Sequence, residues 1–365
     1  MALRIRKQCK RAKKVNAKND VKKGCYRDVG LEFFKAACKV LIEETICDGA
    51  SSAHSTAWCE RHQQKCPVVK AGGASGIGAK EGTIALIAGV SCFDWSPMGE
   101  GEGWLGKSTL VLLQFLKEFV DLKPHWAVLE CVLRFDESTA LDCLLEEYLL
   151  RTICSDPSRM GMPCRRPRKY MLLIRKDSLR WRSAFPDDAA QHMYDALFTK
   201  KTCMTSESFA CAPADKIQEH KDLLATKRGL PLRRRGGKPW SFFQVLPSGI
   251  RRRIVKHEER STLEGQTGWH LSDVTQTPGW VKDSIEAPVL LQRSQLWAST
   301  LSRMLLPLEH FELMGYPVWA ADGDSFRRSL DQLAIAQQRS LVGNGMHATS
   351  IGTIILFLMA TVEFL

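Results

Sequence analysis

A short apolar run at residues 83–90, flanked by glycine-containing segments, most constrains how this chain can fold. It is rich in Ile, Val, Leu and Ala and has the length of a strand, so it predicts a buried strand. Cys92 follows this strand, and a loop punctuated by four glycines follows Cys92. Ligands and reacting groups collect beyond the carboxyl ends of strands in open α/β sheets. Cys92 is therefore placed like a nucleophile, although a lone cysteine at such a position is more often a packed apolar residue.

The composition is that of a globular protein of one large or two ordinary domains, with 365 residues, 44% of them apolar and 25% charged. The net charge of +12 suits a polyanionic partner such as a nucleic acid. Thirteen scattered cysteines, with no CxxC pair, predict neither a disulfide framework nor a metal site, and they indicate a reducing intracellular compartment.

Neither end of the chain predicts a membrane segment. Residues 1–24 form a basic arm without the apolar centre of a signal peptide, and we expect this arm to be flexible. The apolar run at 351–360 is about half the length that a bilayer requires, which favours a buried helix.

Strand and helix patterns alternate along the first half of the chain. Helices are predicted at 29–47, 108–120, 141–153 and 348–361, and further strands at 126–129 and 170–174. This order favours a doubly wound α/β sheet. If the three strands are neighbours, Cys92, Glu130 at the end of the second strand, and Arg166 and Arg168 before the third strand converge on one crevice. A thiolate can add to an electron-poor ring when a protonated carboxylic acid donates to a ring nitrogen and arginines hold oxygen atoms.

Five stretches, in order, resemble the motifs of the DNA cytosine-5 methyltransferases. They are AGVSCFDWSPMG at 88–99, LECV at 129–132, GMPCRRPR at 161–168, the Arg303 to Pro317 segment with Glu309 and Gly-Tyr-Pro, and VGNGM at 342–346. The resemblance implies a doubly wound, Rossmann-like methyltransferase sheet with a smaller, basic target-recognition lobe. The implied domains are the arm at 1–24, the catalytic domain at 25–175, the target-recognition lobe at 176–287, and a return to the catalytic domain at 288–365.

The resemblance also implies a reaction. Cys92 would attack carbon 6 of a flipped-out cytosine, Glu130 would protonate ring nitrogen 3, and Arg166 and Arg168 would steady the base while S-adenosylmethionine supplies the methyl group. The implied cofactor-binding residues are Gly30, Glu60, Gly89 and Asn344. The implied phosphate-binding residues are Arg233, Arg234, Arg235, Arg251, Arg252 and Arg253. The expected partner is DNA, in the nucleus or another intracellular compartment, with no membrane partner.

The sequence departs from this family at several positions. Ser91 stands where the family has Pro, Cys131 where it has Asn, and Cys164 where it has Gln. The family's Phe-x-Gly-x-Gly cofactor loop has no counterpart. Two alternatives therefore stay open, an inactive nucleic-acid-binding relative and an enzyme acting on tRNA. A cysteine hydrolase would need a histidine base, and none of the nine histidines lies in a recognisable motif.

Overall fold

The structure is a computed structural model, and it describes residues 31–32, 34–39, 56–59, 64–67, 83–90, 93–96, 101–182, 187–200, 204–231, 239–265, 268–278 and 286–365. Its strands are β1 Thr56–Cys59, β2 Gln64–Pro67, β3 Ala85–Gly89, β4 Trp126–Cys131, β5 Tyr148–Ser155, β6 Arg168–Arg175, β7 Leu179–Trp181, β8 Leu271–Asp273, β9 Leu296–Ala298, β10 Arg303–Met304 and β11 Val362–Phe364. Its helices are α1 Ser108–Leu122, α2 Glu137–Leu141, α3 Asp187–Phe198, α4 Ala214–Lys227, α5 Phe242–Val245, α6 Ser248–Leu263, α7 Pro307–Leu313, α8 Asp324–Asp331, α9 Ile335–Asn344 and α10 Ala348–Thr361. Residues 31–32 and 34–39 are also helical.

The chain divides into two compact units. The first unit takes residues up to Cys154, then Arg168–Gln191 and Phe357–Leu365, and the second takes Ser155–Pro167 and His192–Leu356. These boundaries differ from the expected ones. Only Phe357–Leu365 of the expected 288–365 return lies in the first unit, where β11 pairs with β7. The basic arm at 1–24 lies outside the described residues.

The first unit is built on a four-stranded sheet in the order β3-β4-β6-β5. β3 and β4 are parallel, and α1 connects them as the crossover helix. Leu112, Leu116 and Phe119 of α1 are buried, as a helix packed on a sheet requires. β4 is buried at five of its six residues, which explains its continuous apolar sequence. The predicted α/β class is confirmed, and so is the strand expected at 126–129. A strand also lies within 83–90, but the expectation that it is buried is wrong, because β3 is the outer described strand of the sheet and alternates between exposed and half-buried residues.

Another local prediction in this unit is wrong. The helix expected at 141–153 does not form, because α2 ends at Leu141 and the chain enters β5 at Tyr148. Asp136 starts the helix early by accepting a hydrogen bond from the Thr139 amide at 3.3 Å. β6, in addition, runs antiparallel to β4, so the sheet is mixed and not wholly parallel.

The second unit has a three-stranded antiparallel sheet, β10-β9-β8, surrounded by short helices. Its core contains Leu271, Leu296, Leu305, Leu313 and Met314. The chain segment before β6 belongs to this unit, because the backbone at Cys164 pairs with that at Ala287 in an isolated β-bridge.

Among the described residues, no single helix has the length and apolar composition to cross a bilayer. The successive helices α9 and α10, which are bent by 40° at the break between them, meet that test by length and composition only as a pair.

Candidate active site

Glu130 lies at the carboxyl end of β4, between the two strands that flank it. In the register of the sheet it pairs with Gly89 of β3 on one side and with Tyr170 of β6 on the other. Cross-strand partners point to the same face, and so do residues two apart on one strand. Arg168, two residues before Tyr170, therefore shares the face of Glu130. The register alone brings these two side chains together.

The Glu130 and Arg168 side chains form a close, buried ion pair. Arg168 Nε lies 2.9 Å from Glu130 Oε1. The Arg168 side chain is 15% exposed and the Glu130 side chain is 9% exposed. The contact is ionic and not a directed hydrogen bond, because Glu130 Oε1 is buried and accepts no hydrogen bond from the described residues. A buried acceptor without a donor is costly. This oxygen is therefore suited to receive a donor from a bound molecule.

Cys92 itself lies outside the described residues, but the chain on either side of it is held in place. On one side, the buried Val90 donates its amide to the Glu130 carbonyl at 3.3 Å. On the other side, Asp94 Oδ2 accepts the Ser108 amide at 2.7 Å, and the Asp94 carbonyl accepts the Gly103 amide at 3.0 Å. The cysteine is thus joined to the strand beside Glu130 at one end and to the start of α1 at the other.

Asp94 caps the start of α1 from a distant position in the chain. Ser108 is the first residue of that helix, and the preceding Lys107 gives no side-chain cap. The carboxylate of Asp94, 14 residues earlier, takes the free Ser108 amide instead. Gly106 makes room for it, since a Cβ there would lie 1.9 Å from Asp94 Cγ. Sequence reasoning missed Asp94, because no local spacing signals a cap supplied from so far along the chain.

Aromatic side chains pack around Trp95, which lies in the segment after Cys92. Trp95 meets Trp104 edge-on at 5.4 Å between ring centroids, and Phe135 at 5.2 Å. Phe34, from the helical residues 34–39, stacks on Trp104 at 4.4 Å. The helix near the beginning of the chain and the segment after Cys92 therefore share one aromatic cluster.

Arg166 has a packing role in place of the expected contact with a base. It belongs to the second unit, where its guanidinium donates to the carbonyls of Leu290 at 3.3 Å, Gly343 at 3.2 Å and Gly345 at 2.9 Å. The last two carbonyls lie at the carboxyl end of α9, where a cation is favourable.

Asn344 also differs from its prediction. Gly343 and Asn344 are the last residues of α9, and the Gly345 amide donates to the Leu341 carbonyl at 2.7 Å. The Asn344 side chain accepts from Gln292 Nε2 at 2.6 Å. The Asn344 carboxamide oxygen is therefore bonded within the protein.

The described residues include only two of the four residues predicted to bind the cofactor, and neither shows a cradle for it. Gly30 and Glu60 lie outside them, Asn344 is bonded to Gln292, and Gly89 is an exposed strand end that pairs with β4. Within the described part of the chain, β3 is the outer strand of its sheet, so no described strand carries a cofactor loop beside it. The described residues also contain no cluster of three or more His, Cys, Asp or Glu side chains that could hold a metal ion.

The three arginines of α6 that were predicted to bind phosphate lie on different sides of the helix. Arg251, Arg252 and Arg253 point in different directions, because successive residues on a helix are about 100° apart. Arg251 Nε is buried and donates no hydrogen bond to the described residues, and Arg253 donates to the Val274 carbonyl at 3.4 Å. Arg252 is exposed, as is Lys256 one turn later. The other three arginines, Arg233, Arg234 and Arg235, lie outside the described residues.

Comparisons with known proteins give structural likeness only. No protein-family model matches the sequence, and neither does any curated protein. A methyltransferase of Entamoeba histolytica, EhMeth, is 14% identical, with 82% of this chain and 85% of that chain covered and a TM-score of 0.44. The Dnmt2 methyltransferase of S. pombe is 16% identical, with 79% and 82% covered and a TM-score of 0.44. A mutant DNMT2 of Spodoptera frugiperda is 14% identical, with 75% and 79% covered and a TM-score of 0.38. Likeness at this level says nothing about the activity of this chain.

Proposed function

We propose that this protein is an S-adenosylmethionine-dependent methyltransferase acting on carbon 5 of cytosine in DNA, with Cys92 as the covalent nucleophile. The observation that supports this proposal is the buried Glu130 and Arg168 pair at the end of β4, beside the strand that leads to Cys92. Activation of a cytosine ring requires a thiol, a carboxyl group and a guanidinium. Glu130 and Arg168 supply the last two, and Cys92 would supply the first.

The base is activated by the chain's own residues. In its protonated form, Glu130 donates a proton to ring nitrogen 3, which draws electrons from the ring and makes carbon 6 electrophilic. The Cys92 thiolate then forms a bond to carbon 6, and the electron pair of the carbon 5–carbon 6 double bond becomes available at carbon 5. Arg168 holds the carboxyl group of Glu130 and faces the same side of the sheet. The base must leave the stack before this chemistry can occur.

S-adenosylmethionine would supply the methyl group. Because the described residues show no cradle for it, the chemistry derived for this chain ends at the activated base. The net charge of +12 and the exposed Arg252 and Lys256 support a nucleic-acid partner.

A second candidate is a nucleic-acid-binding protein that no longer methylates. Two observations favour it. Asn344, expected at the cofactor, is bonded to Gln292, and the described residues give β3 no outer neighbour.

The test is exchange of the hydrogen at carbon 5, which follows addition of a thiolate to carbon 6 and needs no methyl donor. DNA carrying tritium at carbon 5 of cytosine is incubated with the full chain, with and without S-adenosylmethionine, and release of tritium into water is measured. We expect release with the native chain, none with Cys92→Ser, and native release with Cys154→Ser, a change at an exposed cysteine.

Each outcome separates the candidates. Release without the cofactor and methylation with it support the proposal. Binding of DNA without release supports the second candidate. Release from labelled tRNA but not from DNA would show that the substrate is RNA.

A further inference from the structure

We propose that Cys38 and Cys143 form a reversible disulfide by exchange with an anionic low-molecular-weight disulfide, which fastens the helical residues 34–39 to the chain after α2. The proposal rests on a pair of thiols and a cavity that the proposed methylation does not use. Both cysteines belong to the first unit.

The two thiols line the same cavity, and both are unoxidised. The cavity has a volume of about 400 Å³, which gives a small molecule access to them. Both side chains also belong to one apolar cluster, in which Cys38 is buried and Cys143 packs against the buried residues. A disulfide requires the two sulfur atoms to come within about 2.05 Å of each other.

The pair is chemically unequal, which assigns a role to each thiol. The neighbouring Cys38 thiol lowers the pKa of the Cys143 thiol, whereas the Cys143 thiol and burial raise the pKa of Cys38. Cys143 is also the more exposed of the two. Cys143 is therefore the attacking thiol, since the thiolate is the reactive form. Cys38 is the resolving thiol.

The exchange balances in two steps. The Cys143 thiolate bonds to one sulfur of the small disulfide, whose other half leaves as a thiolate and takes up a proton. Cys38 then loses its proton, attacks Cys143 Sγ and displaces the second small thiol. The protein dithiol loses two electrons and two protons, and the small disulfide is reduced to two thiols.

The charge at the cavity selects the class of disulfide. Lys35 and Lys39 line it together with a single carboxylate, Asp142. Lys35 also forms an exposed pair with Glu32, outside the lining, at 3.6 Å, and such exposed pairs are weak. A disulfide that carries carboxylates, such as oxidised glutathione, is favoured over a cationic one by this balance. Disulfides inside cells are mostly transient and regulatory, which is consistent with a reversible reaction.

The cross-link acts on the segment after Cys92. Phe34, four residues before Cys38, stacks on Trp104, and Trp104 meets Trp95. Fastening Cys38 to Cys143 therefore holds one end of the aromatic cluster that packs against this segment.

The experiment uses the full chain in buffers of reduced and oxidised glutathione, followed by alkylation, trypsin digestion and mass spectrometry. Trypsin isolates Cys38 in peptide 36–39 and Cys143 in peptide 135–151, each with a single cysteine. We expect these two peptides to become cross-linked in oxidised glutathione and to separate on reduction. Cys154→Ser and Cys211→Ser, at exposed cysteines, serve as matched controls and should keep the cross-link.

Single variants test the two roles. Cys38→Ser should accumulate glutathione on peptide 135–151, because the resolving thiol is gone, and Cys143→Ser should leave peptide 36–39 unmodified. The native chain should also react several-fold faster with oxidised glutathione than with cystamine, a cationic disulfide. Two outcomes overturn the proposal: full alkylation of both thiols in oxidised glutathione, and a stable mixed disulfide on Cys143 of the native chain. An equal rate with cystamine overturns the preference for anionic disulfides.

Discussion

Arg303 and Glu309 form a bidentate ion pair in the second unit, with two nitrogen–oxygen distances of 2.7 Å. The side chains are 8% and 0% exposed. The amides of Leu306 and Ala212 also donate to this carboxylate, at 2.7 and 3.0 Å. The pair therefore ties β10 to α7 and to the chain before α4.

Replacing Glu309 with Gln should destabilise the second unit by about 3–5 kcal/mol, because it leaves the Arg303 charge buried without a counter-charge. The free energy of unfolding in urea measures this. Lys216→Ala is the matched control, since it breaks an exposed pair with Glu219 at 3.0 Å. Exposed pairs contribute at most about 1 kcal/mol. Equal losses in the two variants would contradict the prediction.

Replacing Glu130 with Gln should slow tritium release from carbon 5 by roughly 10²–10⁴-fold, because an amide cannot protonate ring nitrogen 3. Unfolding in urea checks that the variant is folded. Glu137→Gln is the control, since Glu137 also pairs with a cation of β6, Lys169, at 2.6 Å. If Glu137→Gln slows release as much as Glu130→Gln does, Glu130 has no particular role in the reaction.

Replacing Asp94 with Ala should cost about 1–2 kcal/mol, because the Ser108 amide loses its acceptor at the start of α1. Asp94→Asn keeps an acceptor oxygen and should cost less. The midpoint of urea unfolding gives both values. The idea fails if alanine and asparagine at position 94 have the same effect.

The second unit should lose stability as the pH falls below about 6.5. Burial lowers the pKa of His310 to about 3, with a further contribution from Arg339. The unfolded chain therefore binds a proton between the unfolded value near 6.5 and about 3, while the folded chain does not. Stability is fully present above pH 6.5 and declines as the pH falls toward the folded pKa.

His310→Asn should reduce this decline by about 1.4 kcal/mol per pH unit between pH 6 and 4, which is the contribution of one proton. Urea unfolding at several pH values measures the slope. His192→Asn, at an exposed site, is the control. An unchanged slope in His310→Asn would count against a neutral, buried imidazole.

Replacing Arg252 with Ala should weaken DNA binding and lower the slope of log K against log salt by about 0.9, the value for one phosphate contact. Arg260→Ala is the matched control, because Arg260 lies on the same helix but is paired with Glu264. Fluorescence anisotropy across a salt series measures both. If the two variants have the same slope, Arg252 makes no phosphate contact.

The elements with an unbroken pattern could be predicted from the sequence. The helix at 348–361 has the predicted bounds, and α1 begins at the predicted residue, because apolar residues recur at the helical period through both. The segment 141–153 could not be predicted in this way. Its apolar residues suit a helix, but pairing at the edge of the sheet imposes the alternating burial of β5.

The site shows the same division between sequence and structure. The apolar residues that precede Glu130 in the sequence determined that this carboxylate would lie at the end of a buried strand. Arg166 and Arg168 lie two residues apart in one motif, so nothing in the local sequence distinguishes them. The chain nevertheless passes from the second unit to the first between them. Only tertiary structure decided that Arg168 contacts Glu130 while Arg166 binds the end of α9. The physical reason is that strand register and long-range hydrogen bonds are set by partners more than 30 residues away, which no local pattern encodes.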